Sequence, residues 1–131
     1  MTKRFTPETL AILSGLLLTL SFPPFDMFFV AWGAWLPLWA ALQQEGWKKG
    51  FKLGFITGFI FTLTSLNWIA NNSGTSFIVA SASMVASVLY LSCWFGLFGV
   101  IIARTGRNLG TRGLWLAPIF WVSIEFLYSY H

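Results

Sequence analysis

The sequence predicts an all-α membrane protein: about five transmembrane helices in one bundle, with the N-terminus in the cytoplasm. Three observations carry this. The 131 residues are 56% hydrophobic and only 9% charged, with a mean hydropathy of +0.71. A water-soluble domain averages about 25% charged residues, so this chain could not solvate its own surface. The apolar residues gather into five runs close to the roughly 17–25 residues that cross a hydrocarbon core. All eight Lys and Arg fall on alternate connections between those runs, the asymmetry that sets orientation in a membrane.

The first span is predicted over residues 7–22. Thr6 is placed to cap it, and Pro7 suits the first helical position, where a missing N–H costs nothing. Pro23-Pro24 then stop it. Lys3 and Arg4 before an apolar run resemble the start of a signal peptide, but no small-x-small cleavage site follows, so the segment reads as a retained helix. The second span is predicted over 27–42, with a kink at its interior Pro37. The third covers 51–70 and is broken by the turn-forming run Asn71-Asn72-Ser73-Gly74. The fourth covers 78–103, long enough to tilt or to begin in the interface. The fifth covers 114–130.

Lys3 and Arg4, then Lys48, Lys49 and Lys52, then Arg104, Arg107 and Arg112 mark the cytoplasmic connections. The Pro23–Asp26 and Asn71–Ser76 connections carry no basic residue and face the other side. The fifth helix therefore exits outward, leaving Tyr128, Tyr130 and His131 at the outer interface, where amphipathic rings are favoured. Every connection is short, which argues for a single domain, residues 1–131, of sequential neighbours.

Little in the chain can do chemistry. The basic residues form no patch interleaved with aromatics, so nucleic acid is not an expected partner. Cys93 is the only cysteine and has no titratable neighbour within a helical turn; it is expected to be a small packing residue. His131 is the only histidine, which excludes a nucleophilic triad within these residues. His, Asp, Glu and Cys do not cluster, so no metal or cofactor is expected. Asn71-Asn72-Ser73 matches a glycosylation sequon too short to be informative. Gly50, Gly54 and Gly58 repeat every four residues, a small-residue stripe that lets helix backbones approach closely, and Ser83 and Ser87 read the same way. Trp32, Trp35 and Trp39 share one helix face; the plain reading is a lipid-facing aromatic surface, the functional one a groove wall. Glu125 stands out, because a charged group within a span costs at least about 2.5 kcal/mol. It must face the interior, water or the interface, or be protonated. Asn67 and Trp68 reach a similar level, and Asp26 follows Pro23-Pro24-Phe25 on the same side. Polar groups from three helices near one outer surface form a candidate substrate mouth.

Several segments, in order, resemble one family. They are Leu20-Ser21-Phe22-Pro23-Pro24-Phe25-Asp26, the run from Ala31-Trp32 to Leu36-Pro37-Leu38, and Gly54-Phe55 and Gly58-Phe59 leading to Trp68-Ile69. Ala117-Pro118 with Trp121 and Glu125-Phe126-Leu127 complete the set. The ordered set resembles the N-terminal membrane region of bacterial apolipoprotein N-acyltransferases. That resemblance implies an enzyme of the bacterial inner membrane that moves an acyl chain from a membrane phospholipid to the N-terminal cysteine of a diacylated lipoprotein. It further implies a thioester on a catalytic cysteine, assisted by a glutamate and a lysine, all on a nitrilase-like domain beyond the helices. No catalytic residue carries over to this chain, because Cys93 sits in a membrane helix. Tyr128 and Ser129 also follow Leu127 where the family usually has Arg-Gly. The expectation is a membrane-embedded fragment, inactive alone, that anchors a missing catalytic domain and admits acyl chains past Phe25, Asp26, Trp68 and Glu125. The competing reading is a small non-enzymatic membrane protein, a proton-coupled transporter subunit with Glu125 as relay or an assembly factor. The absence of inverted repeats weighs against the transporter.

Overall fold

The computed structural model describes residues 5–43, 45–71 and 74–130, except for the side chains at 114 and 128. Expectations resting on Lys3, Arg4, the Asn72-Ser73 part of the sequon, the Tyr128 ring and His131 lie outside the described residues.

Helix α1 runs Pro7–Leu20. The Thr6 hydroxyl accepts the Thr9 amide at 3.3 Å, satisfying one of the N–H groups that a helix start leaves over. The second apolar run is not one helix. It begins as a 3-10 turn, Phe28–Val30, followed by α2, Ala31–Ala34, and α3, Leu36–Leu42. The break falls at Trp35, two residues before Pro37, whose ring and missing N–H deny the preceding turn its ladder.

Helix α4, Trp47–Ser65, starts four residues before the expected boundary, and its last turn gives way to a 3-10 segment, Asn67–Asn71. The basic residues that suggested a loop are compatible with helix where it leaves the hydrocarbon. The same holds for α5, Phe77–Leu109, which runs through Arg104 and Arg107 until Gly110, at φ +55°, ends it. Its 33 residues span about 50 Å at 1.5 Å per residue, against about 30 Å of hydrocarbon. A 3-10 segment, Gly110–Leu116, then leads into α6, Ala117–Ser129, with Pro118 in its first turn.

Helix α4 is the middle of the bundle, with α5 on one flank and α1 on the other, while α6 packs on α5 and the 3-10 segment before it. At the α4–α5 crossing, a Cβ on Gly54 would stand 3.1 Å from the Cα atoms of both Gly96 and Gly99, and one on Gly50 would stand 2.8 Å from the Ala103 Cβ. The expected stripe on α4 is therefore met by a second one on α5. On the other flank a Cβ on Gly15 would stand 2.8 Å from the Thr57 carbonyl oxygen. Between apolar helices in lipid, close packing and interhelical hydrogen bonds drive association, and both occur here. The Thr57 hydroxyl donates to the Ala11 carbonyl at 2.9 Å, that of Ser14 donates to the Ala34 carbonyl, and Thr19 and Thr64 share a hydrogen bond of 2.6 Å.

Among the described residues every regular element is helical. Two segments, Trp47–Asn71 and Phe77–Gly113, are long and apolar enough to cross a membrane. Only 28% and 39% of their apolar windows are buried inside the protein, unlike the core helix of a soluble domain. Large apolar side chains cover the outside instead, including Trp32, Ile78 and Trp115. Pro7–Leu20, Phe28–Leu42 and Ala117–Leu127 are shorter apolar helical stretches.

Three expectations are corrected. Cys93 is exposed on α5 and is not a packing residue. Ser83 is exposed and Ser87 half-buried, so the small residues that seat α5 against α4 are Gly96 and Gly99, further along the helix. Of the three tryptophans assigned to a lipid-facing surface, only Trp32 is fully outside; Trp35 and Trp39 pack against the core.

Candidate functional site

The break at Trp35 turns that side chain inward, onto α5 and α6. Its ring stacks on Phe95 at 5.9 Å between centroids and meets Phe98 and Trp121 edge-on or tilted, each at 5.1 Å. Trp121 also meets Phe95 at 4.8 Å and Phe98 at 5.3 Å. These offset and edge-to-face geometries suit the quadrupoles of the rings. The four rings join the α2–α3 break to α5 and α6, and Phe61 of α4 touches Phe95 at 5.8 Å.

Three of these rings, Trp35, Phe98 and Trp121, line a groove of about 540 Å³ between the α2–α3 segment and the start of α6. Trp32, Trp35 and Trp39 form one wall, Pro118, Trp121 and Val122 the other, and Phe98 and Ile102 lie beneath; Trp115 closes the end nearest the basic connections. Among the described residues no ionisable side chain lines it. A cleft of that size with an almost wholly apolar lining suits an apolar ligand such as an acyl chain better than a polar one, which would find few hydrogen-bond partners there. Glu125 follows Trp121 and Val122 by one turn on α6, so helical spacing places it just past the groove on the same face.

The four residues singled out from sequence are all exposed. Phe25 and Asp26 lie in the connection between α1 and the 3-10 turn, with Asp26 at φ +53°. Trp68 lies in the 3-10 segment after α4, and Glu125 on α6. All lie away from the end that carries Lys48, Lys49, Arg104 and Arg107. Among the described residues no hydrogen bond, ion pair or ring contact joins any two of them, and none lines the groove. The groove itself was half visible in the sequence, through the tryptophan stripe. Phe98 and Trp121, which help complete it, gave only the weak signal of aromatics at helical spacing. Among the described residues no group of His, Cys, Asp or Glu could hold a metal ion.

Fold and groove together define an all-helical domain with two helices long and apolar enough to cross a membrane and an apolar side cleft. Residues 14–131 match the apolipoprotein N-acyltransferase N-terminal domain, and the chain belongs to that family. No curated protein and no solved structure matches it.

Proposed function

We propose that this chain is the membrane-embedded part of an apolipoprotein N-acyltransferase, acting in lipoprotein maturation in the bacterial inner membrane. Family membership over residues 14–131 carries this reading. The groove supports the part the chain plays in it: an apolar cleft, open to the side of the bundle, that receives an acyl chain of a phospholipid. In this reading the chain crosses the membrane five times with its N-terminus in the cytoplasm, counting the three shorter apolar segments as spans. The gathering of Lys48, Lys49, Lys52, Arg104 and Arg107 at one end of α4 and α5 supports that orientation. Phe25, Asp26, Trp68 and Glu125 then border the outer surface at which a diacylated lipoprotein would arrive.

The transfer chemistry needs a cysteine activated by a base, and the described residues offer none. Cys93, midway along α5, has no such partner and faces outward. The chain alone is therefore proposed to be inactive, with a nitrilase-like domain supplying Glu, Lys and Cys.

The test is acyl transfer from phosphatidylethanolamine to a synthetic diacylated lipopeptide, in membranes from cells expressing the native gene. Ala117→Trp, which fills the groove, should lower the rate severalfold at unchanged protein level. An unchanged rate removes the groove from the function. No transfer from the native gene, with the protein present, removes the acyltransferase reading and favours a non-enzymatic membrane protein.

A further inference from the structure

Helices α4 and α5 cross closely at Gly50, where a Cβ would stand 2.9 Å from the Gly99 carbonyl oxygen and 2.8 Å from the Ala103 Cβ; α4 begins three residues before Gly50 and α5 ends six residues after Ala103. A second cavity of about 310 Å³ opens there, lined by Trp47 from the first turn of α4 and by Arg104, Arg107 and Asn108 from the last turns of α5. Arg104 and Arg107 are three residues apart and so share a helix face. Neither has a carboxylate partner among the described residues. The two acidic groups at this end are engaged elsewhere, Glu45 by Lys49 at 3.1 Å and Glu8 by Lys52 at 3.3 Å. Two like charges held a turn apart repel, and a shared anion removes that cost.

We infer that this cavity is a binding site for the phosphate of an anionic phospholipid headgroup, in the leaflet that meets the basic end of α4 and α5. Each feature has its counterpart in such a ligand. Guanidinium groups donate paired hydrogen bonds to phosphate oxygens. Asn108 offers an amide for the polar remainder of the headgroup. The half-exposed Trp47 is an amphipathic ring of the kind that settles at headgroup level. The end of a 33-residue helix, longer than the hydrocarbon is thick, brings the two arginines into that layer. Basic pockets between helices at the membrane surface select anionic lipids through this chemistry. The site lies on a different face of α5 from Phe98 and Ile102, so it is separate from the groove. The inference rests on membrane embedding and not on acyl transfer, and the two fail independently.

The full chain in phosphatidylcholine nanodiscs doped with phosphatidylglycerol, examined by native mass spectrometry for retained lipid, tests it. The wild-type protein should keep one phosphatidylglycerol in preference to phosphatidylcholine. The preference should fall about fivefold for each arginine removed, in Arg104→Gln and in the double variant with Arg107→Gln. Arg112→Gln, outside the cavity, should leave it unchanged. Equal retention of the two lipids by the wild-type protein overturns the inference whether or not a variant folds. So does an equal loss in Arg112→Gln, which would make the preference a diffuse charge effect. Inorganic phosphate added in excess should not displace the lipid; displacement would reassign the cavity to a soluble phosphate and overturn the lipid assignment.

Discussion

Trp35 and Trp121 meet with ring centroids 5.1 Å apart, and both rest on Phe95 and Phe98 of α5. One tryptophan marks the break between α2 and α3, and the other lies in the first half of α6. Helix α6 otherwise packs on α5 and on the 3-10 segment that leads into it, so this contact ties it to the first half of the chain.

Trp121→Ala should therefore destabilise the bundle by about 3 kcal/mol, the usual cost of deleting a large ring from a packed site. Trp32→Ala, whose side chain is 89% exposed, should cost under about 0.5 kcal/mol. Reversible unfolding in mixed detergent micelles measures both. Equal costs for the two would mean that the aromatic cluster does not hold α6.

Glycine substitutions should split by location. Gly54→Ala sets a methyl group 3.1 Å from two Cα atoms of α5 and should cost about 2 kcal/mol through forced separation of the helices. Gly33→Ala meets nothing within 4 Å and should stabilise by up to about 1 kcal/mol, because alanine restricts the unfolded chain. The same unfolding experiment reads both, and a stabilising Gly54→Ala would refute the close crossing.

Thr57 is fully buried, and its hydroxyl donates to the Ala11 carbonyl at 2.9 Å. Hydrogen bonds between membrane helices average about 0.6 kcal/mol, and Thr57→Val keeps the shape. The expected loss is thus about 0.6 kcal/mol. A loss above about 2 kcal/mol would show that this bond, more than packing, joins α1 to α4.

Cys93 is the midpoint of α5 and is exposed. A nitroxide attached there should collide readily with oxygen, hardly at all with a water-soluble relaxant, and lie within about 5 Å of the bilayer midplane. A label at headgroup depth would show that α5 does not cross where its length suggests.

The helical class was legible because it depends on composition and run length, which one sequence displays in full. Helix ends were less so. Arg104 and Arg107 looked like loop residues, yet a helix continues through them at no backbone cost until Gly110, at a positive φ that glycine adopts freely, ends it. The α4 glycines were legible as a packing stripe because a spacing of four is a property of one helix. Their partners Gly96 and Gly99 were not, since pairing two stripes requires knowing the crossing point. For the same reason Trp35 was assigned to the surface: its direction is set by the break before Pro37 and by three rings far away in sequence. The four site residues named from sequence sit in connections or on an exposed face, where no packing pattern reveals what they meet.

The glycine crossing also bears on how this sequence can change over generations. Gly50, Gly54, Gly96 and Gly99 each face backbone or a near neighbour on the opposite helix, so a side chain gained at any one has no place to go until its counterpart yields. Single steps away from glycine are closed, and a paired step must pass through a damaged intermediate. These four positions should stay fixed while the outward-facing Leu, Ile and Val drift freely among themselves. Distant descendants of this chain would then be known less by their surfaces than by four missing side chains.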